Sequence, residues 1–419
     1  MHPGGIQPAT AGVDPARDGR GRVDRSTLGP HVEPVHLDGA DALPVEEIRI
    51  LRRIASRERP PAPLKLAYDF HRRMAGYAPT PLLAADSLAA RIGVSSVWIK
   101  DEAQRFGLPA FKILGVSWAG YRAMLARLGI SSVPGWNLDR VAERVQHAGP
   151  LSFVAATDGN HGHAVAHLAR LIGVPARVFV PANMVPARVK AIQDEGATVE
   201  AVRGGFDDAV ALAAAAAAED PDAVLLADTS TGVYDEVAEW VIEGYQTIGW
   251  ELRTQLPRTP DLVLVPIGVG GLAAAIGRTL AEPDPEGRRP LLAGVEPLEA
   301  ASTMASVAAG RIITLPGPTD SIMAGLSCGT PSEAAWPTLL TSYDLFVAVG
   351  AATARMGMRT LRQLGLDRGE CSGGAVGALL QLAAHGKGFF PLSPEATVLV
   401  IATEGVTDPD NFEALVGSP

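Results

Sequence analysis

The chain reads as an α/β protein built from mainly parallel sheets flanked by helices. Short apolar or β-branched runs recur along most of it, and amphipathic or alanine-rich stretches of helical length separate many of them. Its 419 residues exceed what one hydrophobic core usually supports, which argues for two domains.

In chain order, residues 1–45 are rich in Pro, Gly, Asp and Arg and lack a sustained apolar period, so a flexible N-terminal extension is expected there. Ordered sequence is expected from Glu46, where EEIRILRRIA has helical spacing. Strand-like runs follow at Val97–Ile99, Phe153–Ala155, Ala176–Val180, Thr198–Val202 and Ala223–Leu226. Further ones lie at Leu262–Val265, Leu291–Val295, Leu345–Val349 and Thr397–Ile401. His163–Leu171 and Asp207–Ala218 read as helices, and the alanine run Ala213–Ala218 is a plain helix former. Alternation of this kind covers a parallel sheet on both faces, and ligands then sit in the loops after the strands. No internal repeat is visible.

Hydrophobic residues make up 47% and charged ones 20%, as in ordinary globular proteins. A formal net charge of -10 argues against nucleic acid or an anionic membrane as a partner. The two cysteines, Cys328 and Cys371, give neither a CxxC pair nor a disulfide framework, which points to a reducing compartment. No basic-then-apolar leader opens the sequence, and no apolar run approaches the roughly 20 residues that span a bilayer. A soluble, cytoplasmic protein is expected. His163 and His167 stand one helical turn apart without an evident acidic or sulfur partner, so no metal site is expected. Asp101, Glu102 and the acidic helix 207–220 are expected to face solvent.

Three strand-end segments carry the candidate chemistry. After the run at Leu262 come Gly268, Val269, Gly270, Gly271 and Leu272, then a helical stretch. Backbone N–H groups converging at a helix start suit a phosphate, although a Gly-rich turn is often only a turn. No Gly-Lys-Ser/Thr follows, which excludes a Walker A loop, and the spacing is not GxGxxG. After Phe153–Ala155 come Thr157, Asp158, Gly159, Asn160 and His161. That loop suits a carboxylate, or simply caps its helix. In RFGLPAFK at 105–112, Lys112 has apolar neighbours Phe111, Ile113 and Leu114. A lone lysine is usually a solvated charge; desolvation instead lowers its pKa and makes it a nucleophile toward an aldehyde.

Ala-Phe-Lys, Gly-Asn-His-Gly and a Gly-rich turn, in that order, resemble the fold-type II pyridoxal-phosphate enzymes over roughly residues 65–415. Within that group the chain is most similar to the diaminopropionate ammonia-lyase family. The similarity rests on RFGLPAFK, ATDGNHGHAVA at 156–166, ADTS at 227–230 and EGYQTI at 243–248. IMAGLSCG at 322–329, ECSGGAVG at 370–377 and ATEGVTD at 402–408 add to it. Threonine and serine dehydratases usually carry serine where Asp158 stands.

The resemblance implies pyridoxal 5'-phosphate as cofactor, held as a Schiff base on Lys112. It implies that Asn160 bonds the ring's 3′-oxygen, that Gly268 to Leu272 hold the phosphate, and that Thr403 sets a hydroxyl against the pyridine nitrogen. Such a hydroxyl leaves the ring unprotonated and favours elimination over transamination. Glu370 is implied beside the ring, residues 157–161 at the substrate carboxylate, and Asp158 and Asp228 as bases for opposite enantiomers. The implied reaction is α,β-elimination of 2,3-diaminopropionate to pyruvate and ammonia. The alternatives are serine or threonine dehydration, or β-replacement on a related amino acid. A large cofactor domain (46–116 and 237–419), a small mobile domain (117–236) and a homodimer complete the expectation. The GVGGL turn and Pro109 depart from the ammonia-lyase pattern.

Overall fold

The structure, a computed structural model, describes residues 31–35, 48–52, 61–130, 135, 137–230, 235–385 and 392–417. The strands in chain order are β1 (His31–Val35), β2 (Ile48–Arg52), β3 (Leu82–Ala84), β4 (Ser96–Asp101), β5 (Ser152–Ala156) and β6 (Ala176–Pro181). They continue with β7 (Thr198–Val202), β8 (Ala223–Leu225), β9 (Leu262–Pro266), β10 (Leu291–Pro297), β11 (Leu345–Val349) and β12 (Thr397–Ala402). An eight-stranded sheet has the order β1-β2-β11-β10-β9-β12-β4-β3, and a four-stranded sheet the order β7-β6-β5-β8. The four-stranded sheet is wholly parallel. In the larger one the five inner strands β11 to β4 are parallel, and β1, β2 and β3 add antiparallel edges.

The α/β class with mainly parallel sheets stands, with one correction near its start. Ile48–Arg52 is a strand, not a helix. Ile48 and Ile50 are buried on one face, and on the other Arg49 is exposed while Leu51 is buried. The same letters therefore also fit a strand covered on one side and in part on the other; pairing with β11 decides for the strand. β1, within the stretch expected to be a flexible extension, pairs with β2. Residues 1–30 and 36–47 lie outside the described residues, as does the remainder of the expected helix at 53–55.

The inner strands are mostly apolar because both faces are covered; β9, LVLVP, is buried at every position, while β4 and β10 carry Lys100, Asp101 and Glu296 toward their carboxyl ends. Helices Lys112–Arg127 and Asp235–Gln255 pack tightly together, and a Cβ on Gly244 would stand 2.4 Å from the carbonyl oxygen of Leu114. The domain limits expected at 116–117 and 236–237 both fall inside these two helices. β9 lies between β10 and β12, so the chain reverses its direction of sheet growth there, and a crevice opens beyond the carboxyl ends of the strands. Among the described residues, no helix is long and apolar enough to cross a membrane.

Candidate active site

The loop from β4 to Lys112 is fixed at both ends. Glu102 N–H donates to the carbonyl of Ala402 at 2.8 Å, and Gly405 N–H to that of Pro109 at 2.9 Å. Between them, Phe106 (φ 53°) and Gly107 (φ 81°) form a tight reversal closed by the Arg105–Leu108 pair. Beneath it lies a buried ion cluster. Arg105 donates to Glu102 (2.7 Å) and Glu251 (2.7 Å), Lys100 donates to Glu251 (2.6 Å), and Thr80 donates to Glu102 (2.6 Å). Glu102 and Asp101 therefore do not face solvent; Glu102 is fully buried and Asp101 pairs with Arg368. Asp101 finds its cation 267 residues away, and Arg105, the near partner of Glu102, is itself shared with the distant Glu251, which local pattern does not reveal.

Lys112 opens the following helix and projects into a pocket. Its Nζ donates to Asp228 Oδ2 at 2.6 Å. Burial alone would lower the ammonium's pKa, but Asp228, helped by Tyr245 and Asp158, outweighs it and the net shift is upward. The expected desolvated, low-pKa lysine is thus corrected: Phe111 supplies an apolar flank, and the carboxylate of Asp228 dominates. Asp228 itself is pushed up by burial and pulled down further by Lys112, to about 2. His161 donates through Nε2 to the carbonyl of Leu226 (2.7 Å), leaving its Nδ1 lone pair 3.7 Å from Asp228; burial lowers its pKa, so it is neutral.

Asp158 lies in the same pocket under opposite conditions. Burial raises its pKa to about 6, against the pull of Lys112 and Arg188. The loop around it is partly self-satisfied. The N–H groups of Gly159 and Gly162 both donate to Thr157 Oγ1 at 2.9 Å, and that of Thr157 to the carbonyl of Phe179. Thr157 and Gly159 therefore shape the loop rather than offer backbone donors, and Gly159 does not line the pocket. Asn160 and His161, in the first turn of helix Asn160–Ile172, present theirs.

Facing this loop, Gly268 to Leu272 follow β9 and enter helix Gly271–Leu280, and all five line the pocket. Two of the glycines are required. Gly270 has φ 102°, and a Cβ on Gly268 would meet the carbonyl oxygen of Gly325 at 3.0 Å. Beyond β12, Thr403 reaches the pocket with a buried hydroxyl that has no hydrogen-bond partner among the described residues.

Glu370 is not beside the pocket. Its carboxylate accepts from Asn411 (3.0 Å) and lies 3.7 Å from Arg188. Glu404 occupies the place expected for it, accepting from Asn160 Nδ2 at 2.6 Å and from the N–H of Cys371 at 3.2 Å. The sequence offered the signal, since Glu404 directly follows Thr403 in ATEGVTD. Tyr245 in EGYQTI, also in the pocket, was not singled out. The histidine pair His163 and His167 does have an acidic partner, Glu195, at 3.5 and 3.1 Å. Among the described residues no group of three or more His, Cys, Asp or Glu is arranged to hold a metal ion.

The pattern of the family described as pyridoxal-phosphate dependent enzyme matches residues 74–404. The chain belongs to this family. Diaminopropionate ammonia-lyase of Escherichia coli K12 is 34% identical over 372 residues, 84% of this chain and 90% of that protein. L-threonine ammonia-lyase of Geobacter sulfurreducens is 30% identical over 270 residues, 64% of this chain and 58% of that one. Among solved structures, diaminopropionate ammonia-lyase of Escherichia coli with an aminoacrylate-PLP azomethine intermediate superposes with TM-score 0.80 at 30% identity. That match covers 88% of this chain and 97% of the other. The same enzyme with D-serine gives 0.81 at 31% identity. The pyridoxal-phosphate family and its fold-type II architecture, as the motifs implied, are thereby established. The pocket fits the cofactor: it holds an amine, a glycine cradle that a side chain would fill, and an orphaned buried hydroxyl. Pyridoxal phosphate is the cofactor.

Proposed function

We propose that the chain is an ammonia-lyase that converts 2,3-diaminopropionate and water to pyruvate and two molecules of ammonia. One Cα–H and one Cβ–N bond break, and the released enamine hydrolyses to give the keto acid and the second ammonia. The observation that carries this reading is the pair of aspartates around Lys112, Asp228 buried and Asp158 half-buried in the same pocket, alongside the similarity to diaminopropionate ammonia-lyase over most of both chains. A substrate with two ammonium groups meets two carboxylates, and opposite charges in a partly desolvated site attract strongly.

The roles we assign follow from position. Lys112 anchors the cofactor, Gly268 to Leu272 hold its phosphate, Asn160 faces the ring oxygen, and Thr403 faces the ring nitrogen. When bound, the cofactor supplies an electron sink for the pair left at Cα. Asp158 and Asp228 take the Cα proton, one from each enantiomer, and Lys112 relays protons through Asp228. Asn160 and His161 orient the substrate carboxylate at the helix start, within the Thr157–His161 loop. Glu404 holds Asn160 in place. Residues 117–236 form the smaller unit, whose closure excludes water, and the protein works as a cytoplasmic homodimer.

Pyruvate release from D- and L-diaminopropionate, D- and L-serine and L-threonine tests the assignment, with wild type and Asp158→Ser side by side. Diaminopropionate is expected to be the preferred substrate of the wild type and serine to gain in the variant. Turnover of serine with diaminopropionate inert refutes it and favours the dehydratase alternative.

A further inference from the structure

We propose that the hydroxyl of Tyr245 is a cofactor-anchoring group that donates a hydrogen bond to the phosphate of pyridoxal phosphate. The inference rests on the cofactor reading and is independent of which amino acid reacts.

Tyr245 sits in helix Asp235–Gln255 and is 1% exposed, yet its hydroxyl completes no well-formed hydrogen bond among the described residues; Lys112 approaches its oxygen, which leaves the phenol proton itself without an acceptor. A buried hydroxyl proton without an acceptor is costly, so an acceptor arriving with a ligand explains its retention. The ring's position is built into three other segments. A Cβ on Gly115 would stand 2.5 Å from the ring's Cε1, so helix Lys112–Arg127 carries an interior glycine where the ring enters. The Phe111 ring packs edge-on with centroids 4.8 Å apart. On its other side the ring meets Gly271, where a Cβ would lie 3.5 Å from Cε2. Gly271 opens helix Gly271–Leu280 and belongs to the turn that cradles the phosphate. The ring therefore bears on the glycine turn.

The charged groups facing Tyr245 are Lys112 and Asp228. Burial raises the phenol's pKa, Lys112 opposes and Asp228 adds to the rise, so the group stays protonated at neutral pH. A protonated phenol beside an ammonium has its proton to give elsewhere, and Lys112 already donates to Asp228. A phosphate dianion is the acceptor that a glycine turn, a helix N-terminus and a phenol donor suit together.

Full-length Tyr245→Phe, stripped of cofactor and titrated with pyridoxal phosphate and separately with pyridoxal, tests this by dissociation constants. Pyridoxal phosphate is expected to bind about tenfold more weakly than to wild type, equivalent to about 1.4 kcal/mol, with pyridoxal essentially unchanged. The cofactor-free variant is expected to melt no lower than cofactor-free wild type, because the lost phenol proton had no acceptor. Unchanged pyridoxal phosphate affinity overturns the proposal, as does equal weakening of both ligands, which assigns the hydroxyl to Lys112 or the ring. A lower melting point of the cofactor-free variant overturns it too, by making the hydroxyl structural. Inert diaminopropionate with the expected affinities refutes the substrate assignment alone.

Discussion

Beneath the Arg105–Leu108 turn, Lys100 and Arg105 meet Glu102 and Glu251, two cations against two anions, each hydrogen-bonded and shut away from water. The pocket at Lys112 contains the same kinds of group in a different state. One carboxylate, Asp228, is held ionised by Lys112, the other, Asp158, is pushed up to about 6, and the hydroxyl protons of Thr403 and Tyr245 have no acceptor among the described residues. A completed polar network fixes geometry, whereas an incomplete one is complementary to something that binds. The first region holds the loop on which Lys112 is mounted. The second is finished by cofactor and substrate.

The largest break in this comparison is Lys112→Ala. Pyruvate formation is expected to fall on the order of 10²–10⁴-fold or more, with loss of the visible absorbance of bound cofactor. A persistent band without added amine removes Lys112 as the anchor. In the completed network, Glu251→Ala leaves Lys100 and Arg105 short of a buried partner. It is expected to cost about 3–5 kcal/mol in chemical denaturation. A change below about 1 kcal/mol would mean that the cluster opens to water.

The two aspartates separate under pH. Asp158, with its pKa raised to about 6, favours the protonated form in the fold, so its ionisation erodes stability as pH rises from the ordinary carboxylate range toward 6. As a base it must be ionised, so kcat/KM is expected to fall as pH drops through about 6 for the enantiomer it serves, and Asp158→Ser to abolish that activity. Asp228 runs the other way. Its pKa is lowered to about 2, so its pair with Lys112 stabilises the cofactor-free protein fully above the ordinary carboxylate range and is lost as pH falls toward 2. The smallest effect is expected for Thr403→Val: cofactor-free stability unchanged or up to about 1 kcal/mol higher, with weaker cofactor binding. Lower stability without weaker binding would place the hydroxyl in the fold rather than in the site.

How much of this was legible in the sequence depended on distance along the chain. Lys112, Asp158, Asn160, Asp228, Gly268 to Leu272 and Thr403 all line one pocket, because each sits at a strand or helix end where local pattern and parallel-sheet topology coincide. What failed was long-range partnership. Asp101 was expected in solvent, but its cation, Arg368, lies far along the chain, and Glu102 is buried with Thr80 and an Arg105 that the distant Glu251 also holds. Glu370 was placed beside the ring by the resemblance alone, yet its carboxylate accepts from Asn411 and it is Glu404 that lines the pocket and bonds Asn160. Ile48–Arg52 fitted two periods, and only its pairing with β11 chooses the strand.

The central claim, that two differently ionised aspartates serve one diamine, is tested most directly by pyruvate release from each enantiomer of 2,3-diaminopropionate with Asp158→Asn and Asp228→Asn. Each substitution is expected to abolish turnover of one enantiomer while leaving measurable turnover of the other. Equal loss of both enantiomers in both variants, or full activity in either one, contradicts it.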